Sequence, residues 1–470
     1  MPLDASSQGD SALRPDAGTA GVAPIPIVRG GDEARRTVLR RRRLDEALSD
    51  TEVEVIQRCF SEPLSAEQAV QRIIGEVRDG GDAALRRISQ AIDGFGDGRV
   101  DELIVTEDEF AAARALVDEE TQQALQIAAD RVRAYHERQL EHSVRSFEED
   151  GIGQVVRPLR RVGLYVPGTV AVYPSSVLHT AIPARVAGVD DICIASPISP
   201  AAGGAEVSPL KLVAAEIAGV KTVYKVGGAQ AIAALAYGTE SIPAVDKICG
   251  PGGRFVTLAK RQVFGDVGID AIYGPTETII IADDSADAGL VAADLLAQAE
   301  HDPLAAPILI TSSSALADRV ALEIPTQALS LERAAIALEA FANRGGIVLV
   351  DDLPTAIELA NDYAPEHMAL VVRDVDRHID EVRNAGGLFV GETSPEALAD
   401  YIAGPSHVMP TGGSARYASP LHVGEFLKIT SVVRASNDLM QEIAPPAARI
   451  ARAENLTAHA RSLEIRREDR

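Results

Sequence analysis

Several polar side chains in the last third of the chain could together bind a metal ion. Gln298 and His301 lie three residues apart in Leu-Leu-Ala-Gln-Ala-Glu-His, a spacing that places both on one face of a helix. Asp400 ends Ser-Pro-Glu-Ala-Leu-Ala-Asp, and His459 lies in Asn-Leu-Thr-Ala-His-Ala. Two imidazoles and a carboxylate are ordinary zinc ligands, and an amide oxygen can be a fourth. The spacing alone leaves a simpler interpretation open, in which His301 caps its helix and Asp400 is a surface residue.

Asp400 gives the sharper argument for a bound cation. Ser394 and Pro395 are a good N-cap and first-turn pair, which predicts a short helix ending near Asp400. The helix dipole disfavours a carboxylate at that end. A cation near Asp400 would remove the conflict.

The stretch Pro365-Glu366-His367 offers two acid–base groups side by side. Neighbours in a regular strand point to opposite faces, so both can serve one site only if the backbone is irregular there. Pro365 disfavours the helical region for Ala364, which favours such an irregularity. The alternative is one exposed Glu beside one packing His. His407 lies in a Gly/Pro loop, where functional residues are more frequent than on helices, although a surface His is equally compatible with the pattern.

Short β-branched runs alternate with Ala-rich stretches after residue 160, and this alternation predicts open parallel α/β sheets, two of them. A helix-rich region precedes it, where Thr106 and Glu109 predict a capping box. Asp284 or Ser285 is expected to cap the helix ending near His301, with Asp287 in its first turn. The predicted strands are 161–166, 192–196, 222–226, 278–282, 308–311 and 347–350.

Composition excludes several functional classes. Hydrophobic residues make up 46% of the 470 residues, Trp is absent and aromatic residues are only 4%, which suits cores of Val, Ile, Leu and Ala. The formal net charge of −24 argues against nucleic-acid and anionic-membrane partners. The three cysteines are far apart and fit a reducing compartment. The sequence shows no signal peptide and no apolar run of membrane-spanning length, so we expect a cytoplasmic protein.

Glycine-containing turns follow three of the predicted strands. Gly227-Gly228-Ala229-Gln230 follows one, Tyr165-Val166-Pro167-Gly168 closes another, and Gly250-Pro251-Gly252 closes a third. Such turns suit a ligand lying across the carboxyl ends of the strands. Ordinary tight turns explain them equally well, and no GxGxxG fingerprint follows a strand.

From about residue 44 to 467, the chain closely resembles the histidinol dehydrogenase family. Many motifs occur in the family's order, which makes the resemblance far more specific than any single motif. They are residues 163–168, 173–178, 227–231, 250–252, 274–277, 294–301, 365–367, the loop around His407, and 454–460.

The resemblance implies oxidation of L-histidinol to L-histidine through the aldehyde, with two molecules of NAD. It assigns one zinc ion per subunit to Gln298, His301, Asp400 and His459. His367 would take the alcohol proton, and Glu366 would activate water for attack on the aldehyde. Substrate contacts would come from the four metal ligands, His367, Thr276, His407 and Glu454. NAD contacts would come from Tyr165, Gln230 and the position of Gly253.

The resemblance also implies an architecture. We expect two incomplete Rossmann-like α/β domains, an N-terminal helical segment, a C-terminal arm and an intertwined homodimer. Residues 1–43 would form a disordered or extended tail, and 44–160 the N-terminal helices with the first part of domain 1. Residues 161–281 would form domain 2 on the NAD side, 282–420 the rest of domain 1, and 421–470 an arm crossing to the partner subunit. Glu454 and His459 would then complete the neighbouring active site.

The chain departs from the family pattern around the cofactor. Thr169 replaces a common second Gly, His179-Thr180 replaces a common Met-Asn, and Gly253 replaces an Asn that is a proposed NAD contact. His179 could be a satisfied loop residue or a substitute contact. Thr276 replaces a more common Ser and keeps its hydroxyl.

These departures leave two other functions open. One is a paralogue that oxidises another polar alcohol, such as a sulfonated diol, with the same zinc and bases. The other is a catalytically silent zinc-binding scaffold. Retention of His407 and Glu454 favours histidinol, because an acidic side chain suits a cationic amine.

Overall fold

A computed structural model describes residues 24–41, 48–93, 103–168, 172–198 and 207–467 of the chain. Two parallel β-sheets, of six and five strands, lie at its centre, and a three-stranded antiparallel sheet lies apart from them. Helices cover the parallel sheets and bury their apolar strands in separate cores. The predicted α/β class with two parallel sheets is confirmed. Dimerisation stays a prediction.

The six-stranded sheet is parallel throughout. In spatial order it consists of β1 (Ile27–Arg29), β11 (Gly346–Leu349), β10 (Ala306–Thr311), β9 (Glu277–Ala282), β12 (His367–Val371) and β13 (Gly387–Val390). Its central strands are buried on both faces, as their unbroken apolar composition predicts.

The five-stranded sheet is also parallel. Its order is β6 (Thr222–Tyr224), β5 (Asp191–Ala195), β4 (Arg161–Tyr165), β7 (Lys247–Cys249) and β8 (Gly268–Ile269). The antiparallel sheet has the order β14 (Leu427–Val433), β3 (Ile152–Pro158) and β2 (Phe147–Glu149). All six strands predicted from the sequence are present.

The helices connect these strands. They are α1 (Gly31–Arg36), α2 (Asp50–Phe60), α3 (Ala66–Asp93), α4 (Glu107–Leu116), α5 (Glu119–Glu141), α6 (Pro174–Val186), α7 (Pro209–Ile217), α8 (Gly228–Tyr237), α9 (Arg254–Val263), α10 (Ala288–Ala299), α11 (Ser314–Ala328), α12 (Ala334–Asn343), α13 (Leu353–Tyr363), α14 (Glu396–Tyr401), α15 (Asn437–Ala453) and α16 (Thr457–Glu464). Among the described helices, none has the length and apolar content to cross a bilayer.

The start of the chain differs from the predicted tail. Residues 1–23 lie outside the described residues, but β1 and α1 are part of the structure, and β1 pairs in parallel with β11. Ile25 is buried in the core of the six-stranded sheet. Part of the short apolar run from Ile25 to Val28 enters the edge strand β1, and the abundance of Pro and Gly around it obscures this signal in the sequence.

The domain limits differ from the sequence prediction in two places. β9 ends the segment predicted as domain 2, yet it pairs with β10 and β12 in the six-stranded sheet. The helices α2–α5 were predicted to begin domain 1, but they pack on the helices of the five-stranded sheet. A buried strand carries no information about which sheet it joins, so composition alone does not locate these boundaries.

Helix capping follows the sequence in part. Thr106 and Glu109 form the predicted capping box of α4. Asp287, rather than Asp284 or Ser285, caps α10 by accepting hydrogen bonds from two backbone N–H groups of the first turn. Pro395, not Ser394, is the N-cap position of α14, and no side chain caps that helix.

Candidate active site

The candidate catalytic residues gather at the amino-terminal edge of β9 and β12. Thr276 precedes β9, Glu366 precedes β12, and His367 is the first residue of β12. α10 follows β9 and returns to the same edge, which brings Gln298 and His301 to its end. Open α/β sheets usually bind ligands at the carboxyl ends of their strands, so this site lies at the opposite edge from the common rule.

An irregular backbone brings Glu366 and His367 into one site. Ala364 ends α13 in the left-handed conformation, with φ 52° and ψ 68°, and Pro365 follows it. As a result the Glu366 Oε2 atom lies 3.7 Å from His367 Nδ1. The predicted irregularity before Glu366 is therefore present, and two acid–base groups face the same space.

Burial and neighbouring charges shift the pKa values of this pair. Burial raises the pKa of Glu366 to about 7. Burial alone would lower the pKa of His367, but the negative charges of Glu366, Asp400 and Glu396 raise it to about 10. His367 therefore carries a proton at neutral pH, where Asp400 is ionised and Glu366 and Glu396 are each partly ionised.

Asp400 connects the acid–base pair to the candidate metal ligands. Its Oδ1 atom lies 3.7 Å from His367 Nε2, and its Oδ2 atom accepts a 3.3 Å hydrogen bond from Gln298 Nε2. Burial opposes ionisation of this carboxyl, but the nearby His367 imidazole, which is positively charged, lowers its pKa to about 2. Asp400 is therefore an ionised carboxylate at neutral pH.

Gln298 and His301, two of the candidate metal ligands, lie at the carboxyl-terminal end of α10. The buried Gln298 Oε1 atom accepts a 3.1 Å hydrogen bond from Thr276 Oγ1. His301 Nδ1 lies 3.1 Å from the Ala297 carbonyl oxygen, so this nitrogen donates and Nε2 is left with a lone pair for a metal. An amide oxygen, a carboxylate and an imidazole fit a borderline cation such as Zn²⁺.

The two C-terminal candidates, Glu454 and His459, do not join the other candidate residues in the single chain. Glu454 is the C-cap residue that follows α15, and His459 lies on α16; both are exposed, and no contact found among the described residues links them to Asp400 or His301. α15 and α16 pack on each other around a small core of their own. Within the described residues, no cluster of three or more His, Cys, Asp or Glu side chains could hold a metal ion.

His407 joins the two parallel-sheet domains at the site. Its Nδ1 atom donates to the Asp400 carbonyl oxygen at 2.7 Å, and its Nε2 atom accepts from the Ser176 hydroxyl on α6 at 3.0 Å. This pattern selects the neutral tautomer with the proton on Nδ1, and burial lowers the pKa of His407. The single lone pair of Nε2 is already engaged by Ser176, so a ligand that donates a hydrogen bond to His407 would replace that contact.

His179 differs from the loop residue considered in the sequence analysis. It lies inside α6, is fully buried and stacks on His407 with ring centroids 4.4 Å apart. Among the described residues neither of its ring nitrogens has a hydrogen-bond partner. Burial lowers the pKa of His179 well below its usual value, so the ring is neutral. His179 packs behind a candidate substrate contact.

The candidate cofactor residues lie at the carboxyl ends of the five-stranded sheet. The Tyr165 hydroxyl accepts a 3.0 Å hydrogen bond from the backbone N–H of Gly228, whose φ of +64° requires glycine. Gln230 is fully buried, and among the described residues neither atom of its amide has a partner. An unpaired buried amide at strand ends fits a polar group of a ligand. Gly253 precedes α9, and a Cβ atom placed there would meet open space.

Sequence reasoning missed Glu396. Its carboxyl group is buried in α14 and accepts a hydrogen bond from Thr278 at 2.5 Å, and burial raises its pKa to about 7. Its charge is among those that raise the pKa of His367. The spacing of four residues to Asp400 on one helix face was the available signal. Thr169 lies outside the described residues.

Comparisons with known proteins agree with this architecture. The family model "Histidinol dehydrogenase" matches residues 57–467. The histidinol dehydrogenase of Deinococcus radiodurans is 49% identical over 93% of this chain and 98% of its own. That of Thermus thermophilus is 48% identical over 86% and 95%. The crystal structure of histidinol dehydrogenase from Elizabethkingia anophelis has 32% identity and a TM-score of 0.80, covering 90% of this chain and 96% of that one.

The match to the family model extends over most of the chain, and relatives that are nearly half identical align almost from end to end. The solved structure adds the same arrangement of elements. This protein is therefore a dehydrogenase, and the chain belongs to the histidinol dehydrogenase family.

Proposed function

We propose that this protein oxidises L-histidinol to L-histidine through L-histidinal, with NAD as the acceptor and one zinc ion per subunit. The observation that carries the proposal is the position of Asp400, between the acid–base pair Glu366 and His367 and the donors Gln298 and His301. This arrangement can hold a polar substrate beside two bases with different pKa values. L-Histidinol fits, because its imidazole and amine offer nitrogen ligands and its alcohol can lie against the bases.

Gln298, His301 and Asp400 would hold zinc from one subunit. Zinc supplies orientation, because it can bind the imidazole and amino nitrogens of the substrate while the alcohol carbon stays free to react. A cation at this position would also offset the charge of Asp400. The pKa of His367 would then fall, and the neutral imidazole could act as a base.

His367 serves the first oxidation. Its ring lies between Glu366 and Asp400, so it is held next to the position where the donors Gln298 and Asp400 would place the substrate. His367 removes the hydroxyl proton of the alcohol, and the carbon loses a hydride, which gives the aldehyde. One NAD molecule, when bound, would supply the acceptor for this hydride, and a second NAD molecule would supply the acceptor for the hydride of the second oxidation. Tyr165, Gln230 and the backbone at Gly253 would contact it.

Glu366 serves the second oxidation. Its raised pKa makes it a stronger base than an ordinary carboxylate while leaving a large ionised fraction at neutral pH. Glu366 takes a proton from water as the oxygen attacks the aldehyde carbon, which gives the hydrate. Loss of a second hydride and a proton from the hydrate gives the carboxylic acid. His407 and Thr276 would contact the substrate during both steps.

The active protein would be a homodimer with shared sites. The arm formed by α15 and α16 exposes Glu454 and His459 and has its own small core, so it can pack against a second subunit. His459 of the partner subunit would provide the fourth zinc ligand, and Glu454 of the partner subunit would pair with the substrate amine. The protein would work in the cytoplasm.

Product identification tests the proposal. Zinc-loaded protein with NAD should convert L-histidinol to L-histidine, identified by mass spectrometry, and should leave a sulfonated diol unchanged. Conversion of the diol alone would contradict the proposed substrate. Tight zinc binding without turnover of either alcohol would instead support a silent scaffold.

A further inference from the structure

A buried ion-pair network lies directly beneath the candidate bases, and Glu277 is its centre. Glu277 is 2% exposed and begins β9. Its carboxylate accepts hydrogen bonds from Arg41 Nε at 2.7 Å and Arg41 Nη2 at 2.8 Å. It also accepts from the Tyr363 hydroxyl at 3.3 Å and the Gly412 backbone N–H at 3.2 Å. A bidentate Arg–carboxylate pair of this kind is strong and fixes the geometry of both partners.

Arg41 contacts a second element of the site. Its Nη2 atom also donates to the Ala364 carbonyl oxygen at 3.2 Å, and its guanidinium carbon lies 3.7 Å from the centroid of the Tyr363 ring. Ala364 is the left-handed residue that turns the chain from α13 towards Glu366. A non-glycine residue in this region is strained and persists only when its surroundings hold it. Arg41 is one of the groups that hold it.

Both partners of Arg41 determine where Glu366 lies. The backbone N–H of Glu277 donates a 3.2 Å hydrogen bond to Glu366 Oε2. The Ala364 carbonyl fixes the chain two residues before Glu366. Arg41 therefore connects β9, whose first residue orients the Glu366 carboxylate, with the turn at Ala364 that precedes Glu366 in the chain. Arg41 itself lies outside residues 57–467, the part that the family model matches.

We propose that Arg41 is a positioning residue for Glu366 and holds its carboxylate in the orientation needed to activate water. The inference rests on the proposed function, because it assigns Arg41 to the aldehyde step of that reaction. A purely structural ion pair would affect both oxidations alike. A positioning role affects the second oxidation selectively, because His367 belongs to β12 and does not depend on the Ala364 turn for its strand pairing.

The substitution Arg41→Met tests the proposal in the full-length zinc-loaded protein. It removes the guanidinium group, with its charge and its paired hydrogen bonds, but keeps an apolar side chain of similar length. The rates of L-histidinol and L-histidinal oxidation are measured separately, together with the pH profile of the aldehyde step. We expect aldehyde oxidation to fall on the order of tenfold or more, because small misplacements of a base are costly. The alcohol step should fall much less, and the pH profile of the aldehyde step should shift.

Arg35→Met is the matched control. Arg35 lies in the same N-terminal segment and pairs with Asp362 on α13, but it has no contact with Glu277 or Ala364 among the described residues. Arg35→Met should leave the ratio of the two rates unchanged. Arg41→Lys keeps the positive charge but cannot form the bidentate pair with Glu277. It should give a ratio of aldehyde oxidation to alcohol oxidation between those of the wild type and Arg41→Met.

Glu277→Gln provides an independent variant if Arg41→Met does not fold. It keeps the backbone hydrogen bond to Glu366 but weakens the bond to Arg41, so it should lower the same ratio. The inference would be overturned if the ratio of aldehyde oxidation to alcohol oxidation stayed unchanged in Arg41→Lys and Glu277→Gln. It would also be overturned if both steps were lost equally with an unshifted pH profile. Either result would leave the proposed function standing. If the wild-type protein oxidised neither compound, the proposed function would fail and the inference would fail with it.

Discussion

His367 Nε2 lies 3.7 Å from Asp400 Oδ1, so the proposed general base shares its electrostatic environment with a proposed metal ligand. Glu366 and this interaction with Asp400 both raise the pKa of His367, and the charge of His367 in turn lowers the pKa of Asp400. A cation bound at Asp400 would weaken the hold on the His367 proton. If Asp400 binds the metal as proposed, metal binding and the protonation state of His367 would be coupled through this carboxylate.

Glu366→Gln separates the two oxidations. The amide keeps the shape of the side chain but cannot take a proton, so conversion of L-histidinal should slow by ~10²–10⁴-fold, the usual contribution of a general base. Formation of the aldehyde from L-histidinol should persist. Single-turnover measurements with each compound give both rates. Equal loss of the two steps would refute the division of work between Glu366 and His367.

The aldehyde step should follow the ionisation of Glu366. Burial raises the pKa of this carboxyl to about 7, and only its ionised form can act as a base. Below that pKa the rate should therefore rise about tenfold per pH unit, and above it the rate should level off. The pH profile of L-histidinal oxidation checks this. The assay should extend about one pH unit or more on each side of this pKa, roughly from pH 5.5 to 8. A rate that does not change over this range would be incompatible with Glu366 as the base.

His459→Ala should lose metal although the protein still folds and dimerises. His459 is exposed in the single chain, so its removal costs little packing. The matched control is His142→Ala, another exposed histidine, which should keep its metal. Zinc content after gel filtration is the measurement. Full metal content in His459→Ala would remove His459 from the site.

The same variant reports whether the arm crosses between subunits. Mixed dimers of His459→Ala with Glu366→Gln would contain one intact site if His459 acts in the neighbouring subunit. Statistical exchange should then restore about one quarter of the wild-type aldehyde-oxidising activity. If the sites were completed within each chain, mixing would restore none.

Gly253→Asn should strengthen NAD binding. A Cβ atom at Gly253 meets open space, and the backbone φ of −66° is compatible with any residue, so the side chain can be accommodated. One added hydrogen bond contributes ~1 kcal/mol, which corresponds to about fivefold in affinity. Calorimetric titration with NAD measures the change, and Gly253→Ala controls for the added Cβ. Equal affinity in both variants would mean that the Asn amide makes no contact.

The sequence predicts the fold class, because that class depends on local patterns, whereas the assignment of the candidate site residues rests on the resemblance to the family. Unbroken β-branched runs predict the buried strands, and the Pro365-Glu366-His367 stretch predicts two acid–base groups. The role of β1 and the sheet to which β9 belongs depend on pairing between distant segments, which apolar composition does not encode.

Charged residues from remote segments were also beyond sequence reasoning. Arg41 and Glu277 are 236 positions apart, and nothing local marks either of them as a partner of the other. Glu396 carried a weak signal in its spacing to Asp400, whereas the stacking of His179 on His407 carried none.

The most direct test of the proposed function is the amount of NADH formed per L-histidinol consumed, with zinc-loaded protein at limiting substrate. Two NADH per substrate, with L-histidine as the product, is the predicted result, because the two bases support two successive oxidations. It would also make Gly253 a tolerated change in the cofactor site. No NADH from a protein that still binds zinc tightly would contradict the proposal and direct attention to other alcohols and other acceptors.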